Sequence, residues 1–320
     1  MNAEQYSPPV LPDIGHKEGR GRHLLKTFKN EKYLWLLVLP GIIWYLIFAY
    51  GPMYGLVISF ENFSPYRGIL GGPWVGFKWF RQFFESQFFW RLIRNTLLLN
   101  IYNIIFSFPI PIILALLLNE VQHKGYKKTA QTVSYLPYFV STVVIVGLVV
   151  NFVAPDGIIN SMIGVFGIKP INFLVKPEWF RTLYIASGIW QTAGWGSIIY
   201  LAAISGIDSQ LYEASVVDGA NKLKQLWHIT IPGIMPTIII MLILNIGQIM
   251  TVGYEKILLL YTPATYETSD VINTYVYRRG IVSGEFSFGT AVGLFQSVIN
   301  FVIVVSANKL SKKASDISLW

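Results

Sequence analysis

The sequence predicts an all-α integral membrane protein with six transmembrane helices. Three observations lead there. Of its 320 residues, 53% are apolar and 13% charged, against about 25% charged residues in an ordinary soluble domain. The apolar residues fall in blocks of about 20, the length that crosses a bilayer as a helix. The excess of basic residues, net +8, gathers beside those blocks, as topology signals and lipid head-group contacts do. That placement makes the bilayer, not nucleic acid, the partner of the positive charge.

The elements follow in order. Residues 1–32 are polar, with Pro8, Pro9, Pro12 and the basic side chains Lys17, Arg20, Arg22, Lys26, Lys29 and Lys32. They read as a cytosolic tail that ends in a basic amphipathic stretch. No small-residue cleavage site follows the apolar core, so the tail is not a cleavable leader. Residues 33–310 form the membrane domain. Span 1 covers about Tyr33–Tyr50, and Pro40 is expected to bend it. Gly51–Phe88 is external and rich in Gly, Pro and aromatic rings, which favour the membrane interface. It predicts a partly helical cap.

Span 2 covers about Leu92–Leu118, with kinks expected at Pro109 and Pro111. Asn119–Thr129 is a short internal loop with Lys124, Lys127 and Lys128. Span 3 covers about Val133–Val153, with Pro137 near its start. Pro155–Glu178 is external and opens on a Pro155-Asp156-Gly157 turn. Span 4 covers about Trp179–Ile204, where Gly188, Gly194, Gly196 and Ser197 let helices approach closely. Span 5 covers about Gly233–Tyr254 and span 6 about Gly289–Asn308, with Glu255–Phe288 external between them. Residues 311–320 close the chain as a second tail. The basic density beside spans 1, 3 and 6 puts both termini inside.

The segment 205–232, between spans 4 and 5, is polar and full of turn signals. Asp208 can cap a short helix over about Ser209–Asp218. Gly219 can take the left-handed conformation that stops it. Asn221 can cap a second short helix through about Ile229, and Pro232 suits the first turn of the next span. The result is a helix–turn–helix bracket at the inner membrane surface. Leu223, Leu226, Trp227 and Ile229 recur at helical spacing on one face, suited either to packing under the membrane or to burial in a partner. Glu213 can accept bonds from backbone amides or pair with a basic group of a partner.

Polar groups inside the spans must face other helices or a water-filled path. They are Asn103, Ser107, Asn151, Gln191, Thr192, Asn245, Gln248, Thr251, Gln296 and Asn300. Tyr138, Trp190, Trp195 and Tyr254 could stack on sugar rings. Candidates for a translocation path are therefore Tyr138, Asn151, Trp190, Gln191, Asn245, Gln248 and Gln296. No charged residue sits in the middle of a span, which argues against a carrier driven by an ion gradient. Glu255 and Lys256 lie near the outer end of span 5. An external rim of Tyr266, Glu267, Asp270, Tyr275, Tyr277, Arg278, Arg279 and Glu285 could dock an extracellular protein.

The chain has no cysteine and only four scattered histidines, so neither disulfides nor a cysteine or histidine metal site is expected. No clustered acid, base or metal ligand marks an enzyme. It also lacks a Gly-x-x-x-x-Gly-Lys-Ser/Thr loop, so no nucleotide phosphate site is expected on this chain. If ATP drives its work, another chain must bring the ATPase.

The bracket resembles the cytoplasmic loop of ABC importer permeases. That family's pattern is Glu-Ala-Ala, three residues, Gly, nine residues, Ile, one residue, Leu-Pro. Here Glu213, Ala214, Ser215, Gly219, Ile229, Ile231 and Pro232 hold those places, with Ser for the second Ala and Ile for Leu; Asp218 and Ala220 extend the match. Asn95-Thr96-Leu97, Leu136-Pro137-Tyr138, and Gly293-Leu294-Phe295-Gln296-Ser297 with Asn300 are also similar, most of all to permeases of oligosaccharide and polysaccharide importers, including alginate-type systems.

The resemblance implies the type I importer permease fold in a bacterial cell membrane. It also implies a heterodimer with a second related permease, two ATP-binding subunits that carry ATP and Mg2+, and an extracellular solute-binding protein for a sugar substrate. Glu213, Ala214, Ser215, Asp218, Gly219, Ala220, Leu226, Ile229 and Pro232 would then couple to the ATPase. ATP would close the ATPase dimer, move the brackets and open the path outward, and hydrolysis would reset it. The alternatives are an importer permease for another solute or a secondary carrier.

Overall fold

The computed structural model describes residues 32–315 and 318–319. The basic tail expected over 1–32 lies almost wholly outside them. The chain divides after Leu56 into two units. In the first, α1 (Lys32–Trp44) contains Pro40 and runs through a wide turn, Tyr45–Tyr50, into a tight helix, Gly51–Phe60. The expected end of span 1 at Tyr50 is therefore passed without a break.

The second unit, from Val57, is helical, with a single isolated bridge (Glu61 to Trp74) among its described residues. An aromatic cluster of Phe60, Trp74, Phe77 and Phe80 leads into α2 (Lys78–Phe84). Then come α3 (Phe89–Tyr102), a wide turn (Asn103–Ser107) and α4 (Pro109–Glu120). After α5 (Lys124–Tyr135), α6 (Thr142–Val153) and α7 (Ile158–Gly164) comes the long α8 (Pro177–Ser205). The bracket is α9 (Ser209–Val217) and α10 (Lys222–Gln225), followed by a wide turn (Leu226–Thr230) and α11 (Ile231–Ile246). Next are α12 (Tyr254–Leu260), α13 (Tyr266–Ser269), α14 (Ile272–Val276) and α15 (Phe286–Ser315).

Among the described residues, five helical stretches are long and apolar enough to cross a membrane: Lys32–Phe60, Phe89–Glu120, Thr142–Gly164, Lys222–Ile246 and Phe286–Lys313. The fourth predicted span, α8, is long at 29 residues but falls outside that set. Its Gly, Ser, Thr, Gln and Trp residues dilute the apolar ones. They serve packing instead, because α8 is the central helix, touching α4, α5, α6, α11, α12 and α13. At Gly194 an added Cβ would stand 1.9 Å from the Ser134 carbonyl oxygen, and at Gly196 3.1 Å from Pro111.

The kink expected at Pro109 is a wide turn instead, and two further wide turns share its build. Each ends on the residue before a proline: Gly51 before Pro52, Phe108 before Pro109, Ile231 before Pro232. The amide of that residue donates five residues back, to Leu46, Asn103 and Leu226. A proline has no N–H and its ring crowds the carbonyl four residues earlier. One widened turn absorbs both defects and keeps the helix continuous.

Two expected spans are corrected. Span 3 does not run unbroken from Val133. The basic helix α5 gives way to a tight turn at Leu136–Phe139, and Pro137 has no N–H with which to continue the α-helical ladder. Ser141 then caps a new helix by accepting from the Val144 amide (3.4 Å). Span 5 ends at Ile246, not Tyr254; at Gly247, Val304 packs where a Cβ would stand (3.0 Å), and the chain leaves the helix there.

Candidate functional site

The bracket forms as its local signals dictate. Asp208 accepts from the Gln210 amide and Asn221 from the Lys224 amide, each at 2.9 Å. Gly219 has φ +72°, and the Ala220 amide closes the turn on the Ser215 carbonyl (2.8 Å). Ser215 ties the two arms: its hydroxyl donates to the Tyr212 carbonyl (2.7 Å) and accepts from Gln225 Nε2 (3.0 Å). Tyr212 and Thr230 share a further hydrogen bond. A Lys222–Glu120 ion pair at 3.3 Å joins α10 to the end of α4; both groups are exposed, so it adds little.

Glu213, Ala214, Asp218, Gly219 and Pro232 are exposed, whereas Ser215, Ala220, Leu226 and Ile229 are half-buried. The apolar face thus splits. Leu226 and Ile229 pack within the chain, while Leu223 and Trp227 stand exposed with Leu211, Val216 and Val217. Glu213 has no hydrogen bond or ion pair among the described residues. It borders a cavity of about 400 Å³ with Tyr212, Lys222, Gln225 and the end of α4.

Away from the bracket, three cavities join into a polar seam. One of about 210 Å³ is lined by Asn103, Ser107, Tyr138, Thr192, Trp195 and Asn245, among others. Through Asn103 and Asn245 it meets a second, of about 190 Å³, with Asn100, Gln248 and Thr251. Through Tyr184 and Gly253 that one meets a third, of about 340 Å³, with Thr142, Gln191 and Lys256. Tyr138 and Trp195 stack on each other, 4.7 Å apart at 4°, so each ring spends one face on the other. The seam collects Tyr138, Gln191, Asn245 and Gln248. Asn151 and Trp190 are exposed and line none of these cavities.

Gln296 is buried elsewhere and holds backbone. The chain is not helical from Thr251 to Gly253, and polar backbone must find partners where water is excluded. Asn100 Nδ2 donates to the Ile249 carbonyl (2.8 Å) and Gln296 Nε2 to the Met250 carbonyl (2.6 Å). The Met250 amide donates to Asn300 Oδ1 (3.0 Å) and the Val252 amide to Asn273 Oδ1 (3.4 Å). Asn100 and Asn273 escape a reading by sequence, since only their distant partners reveal them. Gln296→Leu should lower stability by about 1–3 kcal/mol, the usual result of orphaning a buried acceptor. Thermal unfolding in detergent checks this. Impaired uptake at unchanged Tm would instead make Gln296 a path residue.

The expected docking rim is partly interior. Asp270 is fully buried. Its carboxylate takes Arg278 (2.8 and 2.9 Å), Arg91 (3.3 Å) and the Thr274 hydroxyl (2.9 Å). Burial works against the Arg278 charge, but the Asp270 and Tyr261 bonds outweigh it and hold the guanidinium above its usual pKa. Asn95 Nδ2 bonds the Glu267 and Asp270 carbonyls, and Arg279 pairs with Glu285. These residues clamp the 267–285 segment onto α3.

The family model of the binding-protein-dependent transport system inner membrane component matches residues 86–316. The chain belongs to this family. The permease is 46% identical over 319 residues to the polygalacturonan/rhamnogalacturonan transport system permease protein YteP of Bacillus subtilis, with 99% of each chain covered. It is 43% identical over 296 residues to Protein LplB of the same organism, covering 92% of the permease and 93% of the relative. A solved structure of a bacterial alginate ABC transporter, in complex with an alginate pentasaccharide-bound periplasmic protein, contains a similar chain. The TM-score is 0.84 at 45% identity, covering 93% of the permease and all of that chain. The permease is a multi-pass membrane protein with the importer permease fold.

Proposed function

We propose that the permease is a transmembrane subunit of an ATP-driven, binding-protein-dependent importer of an oligosaccharide or polysaccharide. It pairs with a second related permease, two ATP-binding subunits that hold ATP and Mg2+, and an extracellular solute-binding protein. This chain binds no cofactor of its own. It sits in a bacterial cell membrane with both termini and the bracket on the cytoplasmic side. The bracket carries this reading: its arms are locked internally, yet Glu213, Leu223 and Trp227 are exposed, and Glu213 has no hydrogen bond or ion pair among the described residues. Such a surface suits the groove of an ATPase. The transport roles of the relatives, from polygalacturonan to arabinooligosaccharides and trehalose/maltose, support a carbohydrate cargo, and the seam supplies the amides, hydroxyls and rings to meet one.

Glu213→Lys tests it. Because Glu213 is exposed and unpaired, the change should leave folding within about 0.5 kcal/mol. Membrane insertion should survive while oligosaccharide uptake falls at least tenfold and the ATP-binding subunits no longer copurify. Undiminished uptake would remove the bracket from coupling. Uptake by the chain without any ATPase, on an ion gradient alone, would make it a secondary carrier.

A further inference from the structure

Lys256 stands apart in the seam. It is 9% exposed, although it follows the non-helical stretch at the start of α12. Its side chain makes no hydrogen bond or ion pair among the described residues. The ammonium lies 5.3 Å from the Tyr184 ring centroid and 3.6 Å from where a Cβ on Gly188 would stand. Gly188 lies 11 residues into α8, about 17 Å along its axis at 1.5 Å per residue. The group therefore packs against the middle of α8, where a Cβ at position 188 would meet it at ordinary van der Waals distance.

Burying an ammonium with its three donors unused is unfavourable unless a partner arrives. The carboxylate next to it, Glu255, is exposed and makes no ion pair with it; adjacent residues on a helix do not face each other. Among the residues lining the three seam cavities, Lys256 is the cation and Glu255 the carboxylate. Around Lys256 the cavity offers Thr142, Gln191, Tyr184 and Tyr254. Its volume of about 340 Å³ falls within the roughly 300–1,000 Å³ of ligand pockets.

We propose that this cavity selects saccharides that carry a ring carboxylate, with Lys256 taking the carboxylate and Gln191 and Thr142 the neighbouring hydroxyls. The proposal rests on the saccharide reading above and names the class of sugar. An ammonium–carboxylate bond is short and strong, and a neutral sugar leaves the ammonium unpaired, so the discrimination runs in favour of the acid.

The test uses the complete transporter with its binding protein and ATP-binding subunits in proteoliposomes. The probes are a galacturonic acid trisaccharide and its carboxyl-reduced neutral counterpart. Using the same binding protein throughout assigns any change in preference to the permease. Wild type should carry the acid in preference. Lys256→Gln should lower the acid-to-neutral uptake ratio at least tenfold, and Lys256→Arg should keep it within about threefold of wild type. An unchanged ratio in Lys256→Gln overturns the role of Lys256 and leaves the saccharide reading standing. If Lys256→Gln is not recovered, the wild-type ratio decides, since equal uptake of both probes overturns the proposal. Wild type that carries neither probe sinks the saccharide reading and this inference with it.

Discussion

Asp270→Ala should destabilise the permease by about 3–5 kcal/mol, the range found when one partner of a buried ion pair is removed. The carboxylate is fully buried and answers two guanidiniums at once, with Arg91 and Arg278 only 31% and 29% exposed. Its loss leaves both cations and the Thr274 hydroxyl short of an acceptor and frees the 267–285 segment from α3. Asp270→Asn should be milder, because it keeps the shape and one acceptor. Thermal unfolding of the detergent-solubilised protein, followed by size-exclusion fluorescence, measures the difference. A Tm for Asp270→Ala within two degrees of wild type would show that the cluster is a solvated rim and not a clamp.

Gly194→Ala should be as severe. A single methyl there meets the Ser134 carbonyl oxygen at 1.9 Å, its carbon at 2.3 Å and the Tyr135 nitrogen at 2.9 Å. All three atoms are backbone, so no side chain can swing aside, and α8 must part from α5. Overpacking typically costs about 1–3 kcal/mol, and contact with a rigid main chain belongs at the top of that range or above it. The expected result is loss of folded permease from the membrane. Gly147→Ala is the control. Nothing lies within 4 Å of its Cβ position, and Ala is favoured over Gly in a helix by up to about 1 kcal/mol. Equal yields of the two variants would refute the close approach at Gly194.

Much of the bracket was legible because its signals are local. Asp208, Gly219 and Asn221 act within three residues of themselves, and each does in the structure what its side chain allows. The small residues of span 4 were legible for a similar reason, although the sequence does not say which helix meets them. The break at Gly247 was not legible, since the run Ile246–Tyr254 is apolar enough to continue a helix. It is held open by Asn100, Asn273, Gln296 and Asn300, side chains far away in the sequence. Gln296 and Asp270 each looked available for a ligand or partner, and each also makes bonds within the fold that the sequence did not announce. Lys256 was read as lying near the outer end of span 5; its burial was not legible, because Tyr184 and Gly188 of α8, which pack against it, lie far away in the sequence.

The union of α10 with α11 has a mechanical meaning. From Lys222 to Ile246 there is one helical rod of 25 residues, about 37 Å at 1.5 Å per residue, and the widened turn before Pro232 removes the joint where it could have folded. A displacement applied near Asn221 acts on a helix that continues without interruption to Ile246. That helix leads directly into the amide-held, non-helical stretch Gly247–Gly253, whose Gly253 lines the cavity of Lys256. Lever and latch belong to one continuous stretch of chain, so a partner that grips the Lys222 end holds the same segment that borders the chamber.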